Sequence, residues 1–231
     1  MATDIAARLA AVRRRIAGAA ERSGRDPGGV TLVAVGKTWP AGIVAEAVRA
    51  GATDLGENRV QEAAAKRPGV PPATWHLIGP LQRNKARLAL EVFDVIHTVD
   101  RPRLVERLQA VLTERWPGRR VPVYLEVNVG EEPQKAGVSP GEAEGLARLV
   151  LQAEPLKLVG LMCIPPFAED PEASRPHFRR LAALRDELQQ ALGRPLPGLS
   201  MGMSHDFEVA IEEGATLVRV GTAIFGPRRQ T

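Results

Sequence analysis

A lysine, an arginine and two glycine-bearing turns carry most of the chemistry visible in this sequence. Lys37 closes the apolar run VTLVAVGK and stands just before a helix start. A lysine is costly to bury unless it is paired or used. The chain holds only five (Lys37, Lys66, Lys85, Lys135, Lys157), and arginine supplies nearly all the other positive charge. An amine desolvated among apolar neighbours has a lowered pKa and can join a carbonyl as a Schiff base. The same lysine could instead pair with Glu57 at a rim, and the residues alone leave both readings open. Towards the other end, in SMGMSHDFEVAIEEG, Ser204 is expected to cap a helix. A cap hydroxyl, free N–H groups and the helix dipole together favour an anion. In RVGTAIFG, Gly221 permits close backbone approach, and Thr222 offers a hydroxyl and an N–H at another short helix start. Arg219 just before them stays protonated at any working pH.

These residues must be positioned by a scaffold, and the pattern names one. Short apolar runs predict strands at 31–36, 53–55, 74–78, 92–97, 121–127, 156–163, 198–201 and 216–220. Helical patterns fall at 40–50, 58–67, 82–90, 101–115, 140–153, 173–192 and 205–213, after a first helix at 4–23. Strand–helix alternation means a parallel sheet, and eight units in about 200 residues point to a closed (β/α)₈ barrel. The expectation is a single barrel domain over 1–231, with a helix within 1–25 packed on it. Barrel chemistry sits at the C-terminal strand ends, with phosphate often held after strands seven and eight. Strand side chains alternate, so Val33 and Val35 pointing inward would aim Lys37 into the mouth.

Lysine at one end and helix starts at the other suit a carbonyl compound carrying a phosphate, which describes pyridoxal 5′-phosphate (PLP). Arg219 facing the pyridine nitrogen would keep it unprotonated and weaken the ring as an electron sink. A structural arginine bound to a carboxylate is the alternative. Another reading of the same lysine and phosphate site is a Schiff-base aldolase or phosphosugar enzyme without PLP.

Seven segments then carry a resemblance. LVAVGKTWP, DLGENRVQEAAAK, WHLIGPLQRNK, IHTVDR, EVNVGEEPQKAGV, GLMCIPP and LSMGMSHDFEVAIEEGATLVRVGTAIFG occur in that order across nearly the whole chain. With them the chain resembles the PLP homeostasis family of the YggS/PROSC type, related to the barrel domain of alanine racemase. The resemblance implies that Lys37 is the PLP lysine and that Ser204, Gly221 and Thr222 hold the phosphate. It implies Arg219 at the pyridine nitrogen, and Asn58 and Met201 beside the ring. It also implies a part in control of free PLP, with PLP-dependent apo-enzymes as transient partners and amino acids as further ligands. The chain departs from the family pattern at Gly36, where serine is usual, at Arg59, where an aromatic is common, and at His205, where a small or acidic residue is usual. These departures bear on pocket flexibility and rim charge.

Racemisation needs an acid/base on each face of the substrate. Lys37 serves one. In alanine racemase a tyrosine from a second domain of the partner serves the other, and this sequence ends just past the barrel. Tyr124, the only tyrosine, falls inside strand five and reads as a wall residue. A PLP holder is therefore expected rather than an efficient catalyst, with a weak PLP-dependent racemase as the alternative. Without the second domain a monomer is expected. His76 and His97 are placed at the ends of adjacent strands, where a structural role outweighs a two-histidine metal site. Cys163 reads as a small core residue, and as the sole cysteine it fits a reducing cytoplasm. Net charge is +4, but arginines are mixed with glutamates and aromatics are too few for a stacking platform, which argues against nucleic acid. No run approaches the ~18 apolar residues of a membrane helix.

Overall fold

A computed structural model describes residues 5–227. Eight strands form one closed parallel barrel in sequence order: β1 (Thr31–Val35), β2 (Asp54–Glu57), β3 (Thr74–Leu77), β4 (Val95–Val99), β5 (Val121–Glu126), β6 (Leu156–Met162), β7 (Gly198–Met203) and β8 (Leu217–Val220). Helix α1 (Ile5–Arg22) precedes the barrel. Helices α2 (Ala41–Arg49), α3 (Val60–Lys66), α4 (Ala86–Val92), α5 (Pro102–Arg115), α6 (Ala143–Gln152), α7 (Arg175–Leu192) and α8 (Phe207–Glu212) connect successive strands, and α9 (Thr222–Phe225) follows β8. In α1, Ile5, Leu9, Val12 and Ile16 are buried. Their spacing makes one apolar face, which packs against α8 and α9.

Among the expected boundaries that move, two have a clear local cause. The fourth strand begins at Val95 rather than Val92, because Val92 closes α4. The Phe93 N–H bonds back to the Ala89 carbonyl, and Asp94 then turns the chain by bonding Trp75 through both backbone and carboxylate. The seventh strand runs on to Met203, and α8 starts only at Phe207. Ser204 therefore lies in the connecting turn and is not a helix cap. Asp206 takes the cap position, and its carboxylate accepts from the Met203 N–H at 2.7 Å and from the Ser174 hydroxyl at 3.1 Å. A carboxylate bridging one donor in the turn and one from the segment before α7 fixes the helix start two residues later than the serine would.

The strands divide the core in two. One continuous aliphatic and aromatic layer lies between barrel and helices, including Trp75, Leu90, Phe178, Leu199, Met201 and Phe225. The barrel interior is separate: Val33, Tyr124, Met162 and Leu217 form a small apolar cluster of their own. Polar side chains from β2, β3, β4, β7 and β8 share that interior and bond to one another across it.

Candidate functional site at the barrel mouth

Lys37 stands two residues past the end of β1 and is half-buried. Because the barrel closes, β1 pairs with β8, and Val33 stands beside Arg219. β7 flanks β8 on the other side. The lysine, the arginine and both glycine-bearing turns thus come from three contiguous strands.

The Glu57 reading of Lys37 needs correction. Glu57 is 1% exposed, and its Oε1 accepts from Lys66 Nζ at 2.7 Å. Lys66 also bonds Glu62 Oε1 at 2.6 Å and the Gly36 carbonyl at 2.9 Å. A second lysine therefore occupies Glu57 and ties down the peptide that precedes Lys37. Burial pushes the Glu57 carboxyl up to about 7 against the opposing pull of Lys66 and, more weakly, Lys37. At 2.7 Å the ion pair is the form that leaves fewest buried groups unmatched. The signal for Lys66 was present in the sequence: Val60, Ala63 and Lys66 recur every three residues on the buried face of α3. Gly36 belongs to the same knot. A Cβ there would lie 2.8 Å from Val44 Cγ2, so Val44 fills the space that a serine side chain would need.

Asn58 follows β2 and is half-buried beside the loop after β3. Gly79 lets that loop close, since a Cβ on it would lie 2.4 Å from the Asn58 carbonyl oxygen. The buried Thr98 hydroxyl holds the loop from below, donating to the Gly79 carbonyl at 2.9 Å.

Ser204 lacks its expected capping role but remains at the expected place. Its hydroxyl accepts from the Gly221 N–H at 3.1 Å and the Ala223 N–H at 3.4 Å. Those N–H groups open α9, and Thr222 between them is exposed. Backbone donors at a helix start gathered around one oxygen form a cradle for an anion.

Arg219 is 4% exposed. Its Nη1 donates to the Ser200 carbonyl at 2.7 Å and the Ser200 hydroxyl at 2.6 Å, and its Nη2 to the Cys163 carbonyl at 2.8 Å. No carboxylate is among these acceptors, so the ion-paired alternative is not the one built. Met201, by contrast, is separated from the mouth. It is fully buried in the layer between barrel and helices. Ser200 faces the interior, and side-chain alternation turns its neighbour outward.

His76 and His97 are not strand-end residues open to the mouth. Both are buried inside the barrel, where His76 Nδ1 meets His97 Nε2 at 2.9 Å. His76 Nε2 reaches Asp54 Oδ1 at 2.9 Å, and His97 Nδ1 reaches Ser200 Oγ at 2.9 Å. The Tyr124 ring stacks on His97 with centroids 4.5 Å apart, so it is a wall residue of the same interior. Among the described residues no cluster of three or more His, Cys, Asp or Glu is arranged to hold a metal. Cys163 is fully buried, and burial pushes its thiol up to about 12, which leaves it inert.

Sequence reasoning missed Glu126. It ends β5 two residues after Tyr124 and is 7% exposed, with Oε2 unpartnered. Burial, reinforced by Asp100, pushes its carboxyl up to about 7 despite Arg219 and Arg101. The signal was the even spacing from Tyr124, which puts both on one strand face.

The fold and this mouth define a (β/α)₈ barrel with an amine after the first strand and a backbone N–H cradle after the last two. The chain belongs to the family described as "Alanine racemase, N-terminal domain", whose model matches residues 7–229. It is 44% identical over 225 residues to the pyridoxal phosphate homeostasis protein of Aquifex aeolicus, covering 96% of this chain and 97% of that one. The protein of the same name from Pseudomonas aeruginosa is 46% identical over 230 residues, covering 98% and 96%. Among solved structures, PipY of Synechococcus elongatus with PLP bound matches with a TM-score of 0.84 at 40% identity, covering 96% of this chain and all of PipY. An alanine racemase from Clostridium difficile shares the fold at 13% identity and a TM-score of 0.72, and the match spans 56% of that longer chain. Among the described residues no helix is long and apolar enough to cross a membrane.

Proposed function

We propose that this chain binds PLP at the barrel mouth and serves in the handling of free PLP rather than in efficient catalysis. One observation carries the reading: closure of the barrel sets β1, β7 and β8 side by side, so Lys37, Ser204, Arg219 and the Gly221–Thr222 turn serve one ligand. The residues fit the group. The N–H cradle now filled by the Ser204 hydroxyl suits a phosphate oxygen, and Thr222 adds an exposed hydroxyl. Lys37 would supply the amine that holds the cofactor's aldehyde carbon as a Schiff base, with loss of water. Arg219 can only donate, so it would hold a ring nitrogen as an unprotonated acceptor. PLP supplies an electron-withdrawing ring, and this arginine limits how far that ring can be used. The names of the homeostasis relatives and the PLP-bound PipY structure support the same ligand.

The test is a visible absorption spectrum before and after borohydride reduction, followed by peptide mapping. The expected outcome is a reducible visible band and a pyridoxyl group on Lys37, both lost in Lys37→Ala. A colourless protein would favour the aldolase or phosphosugar alternative, and a pyridoxyl group on Lys85 or Lys135 would overturn the lysine assignment. A monomer in the cytoplasm, transiently engaging PLP-dependent apo-enzymes, completes the proposal.

Glu126 favours a second reading, a weak amino-acid racemase. A carboxyl near neutrality with one unpartnered oxygen, on the interior face of β5, has the character of the missing acid/base. Alanine incubated in deuterated water with the PLP-loaded protein separates the two. The holder predicts turnover far below the usual ~1–10³ s⁻¹. Loss of chirality with uptake of α-deuterium, abolished by Glu126→Gln, would establish the racemase.

A further inference from the structure

We propose that Asp54, His76, His97 and Ser200 form one hydrogen-bond chain of fixed polarity through the barrel interior, and that its purpose is to hold Arg219 in its ligand-facing position. The inference rests on the PLP reading for what Arg219 faces, and on geometry alone for the chain itself.

The four side chains come from β2, β3, β4 and β7 and meet Arg219 of β8. Successive contacts are 2.9 Å from Asp54 Oδ1 to His76 Nε2, 2.9 Å from His76 Nδ1 to His97 Nε2, 2.9 Å from His97 Nδ1 to Ser200 Oγ, and 2.6 Å from Ser200 Oγ to Arg219 Nη1. The two ends constrain the direction of the protons between them. Arginine has only donors. An ionised aspartate has only acceptors, and Asp54 is ionised: burial works against its charge, but hydrogen bonds from His76 and Thr53 outweigh it and keep its carboxyl below the ordinary value.

Arg219 therefore donates to Ser200 Oγ. The single serine hydrogen is then directed at His97 Nδ1, which must be bare. His97 carries its proton on Nε2 and donates to His76 Nδ1, also bare. His76 Nε2–H donates to Asp54. Every hydrogen has one acceptor and both imidazoles are neutral. Burial above all, and the neighbouring Arg219, hold His97 far below the usual histidine range, which agrees with its neutral form. The competing arrangement makes His76 a cation paired with Asp54. It reverses His97, so that Ser200 Oγ accepts from both sides and its own hydrogen has no partner in the chain. Ser200 is fully buried, so that orphan is costly.

The chain makes Ser200 an obligate acceptor for Arg219. With the Ser200 and Cys163 carbonyls it gives the guanidinium three fixed acceptors, and the guanidinium cannot swing away without breaking all three. None of the four residues needs to touch a ligand, so they are positioning residues. Tyr124 stacked on His97 holds the middle of the chain in place.

The first test needs no ligand. Long-range ¹H–¹⁵N spectra of the ¹⁵N-labelled ligand-free protein report the tautomer of each histidine, with His177→Asn and His205→Asn supplying assignments by subtraction. Neutral Nε2–H forms for both His76 and His97 are expected. A cationic His76, or His97 protonated on Nδ1, would overturn the chain. The second test uses Ser200→Ala, which removes the link and leaves the Ser200 carbonyl. PLP affinity should fall about tenfold and the absorption band of the lysine-bound cofactor should shift, with a pyridoxyl group still mapped to Lys37. A role confined to folding would lower thermal stability and leave the band where it was. Unchanged affinity and band with Lys37 still labelled would overturn the positioning role alone. No label on Lys37 in the unaltered protein would overturn the reading of the mouth, and the positioning role with it, while the ligand-free spectra would still judge the proton order.

Discussion

The inside of the barrel and the layer around it are built by opposite chemistry. Outside, between strands and helices, one continuous aliphatic and aromatic layer buries Trp75, Phe178 and Phe225, and it is interrupted where Lys66 of α3 pairs with Glu57 of β2. Inside, a carboxylate, two imidazoles, a hydroxyl and a guanidinium run through the sheet, and only four buried apolar residues cluster beside them. Apolar packing is non-directional and tolerates exchange of shape for shape, so it suits the task of closing the barrel. Hydrogen bonds are directional and costly when left unmade, so they suit the task of aiming one side chain. The outer layer carries stability and the inner one carries orientation.

That division is broken hardest from outside. Trp75→Ala removes a nearly fully buried ring from the outer layer and should cost about 3–5 kcal/mol. Chemical unfolding would measure it, and residual protein that still folds should still bind PLP. Next comes a group on the boundary between stability and orientation. Glu126 has an ordinary value of 4.5 and is raised to about 7 in the fold, mainly by burial. Between those values the folded state holds a proton that the unfolded chain has released, so stability must fall as pH rises through the window. The loss is of order 3 kcal/mol once pH exceeds about 7. Glu126→Gln should remove that part of the decline, and unfolding curves at pH 5 and pH 8 for both proteins would reveal it. Equal pH dependence in the two would mean that the carboxyl ionises normally.

The cradle gives a smaller effect, and one confined to binding. Ser204→Ala with Thr222→Ala removes two hydroxyls, each worth about 1.5–3 kcal/mol when bonded to a charged group. PLP affinity should fall by roughly two orders of magnitude with the fold retained. Pyridoxal, without the phosphate, should bind as before, and equal weakening of both ligands would refute the phosphate assignment. Smallest of all is Met201→Leu. As an outer-layer residue it should lose under about 1.5 kcal/mol in this volume-conserving exchange, with PLP affinity unchanged. A clear loss of affinity would return Met201 to the ligand.

The sequence by itself determined the barrel, because strand and helix periods alternate eight times and each apolar face has its own spacing. It also determined the mouth, because strand ends are where such barrels place their chemistry and Lys37, Arg219, Gly221 and Thr222 all sit there. Tertiary structure alone decided the partners. Lys66 took Glu57 because α3 folds its third buried position back onto β2 and the Gly36 carbonyl. Ser204 gave the cap to Asp206 and bonded across to Gly221, seventeen residues on. His97 and Ser200, 103 residues apart, met because closure of the barrel brings distant strands across one narrow interior. Periodicity is local and survives in one dimension. A hydrogen bond between side chains depends on register, face and distance between strands, and those are settled only when the sheet closes.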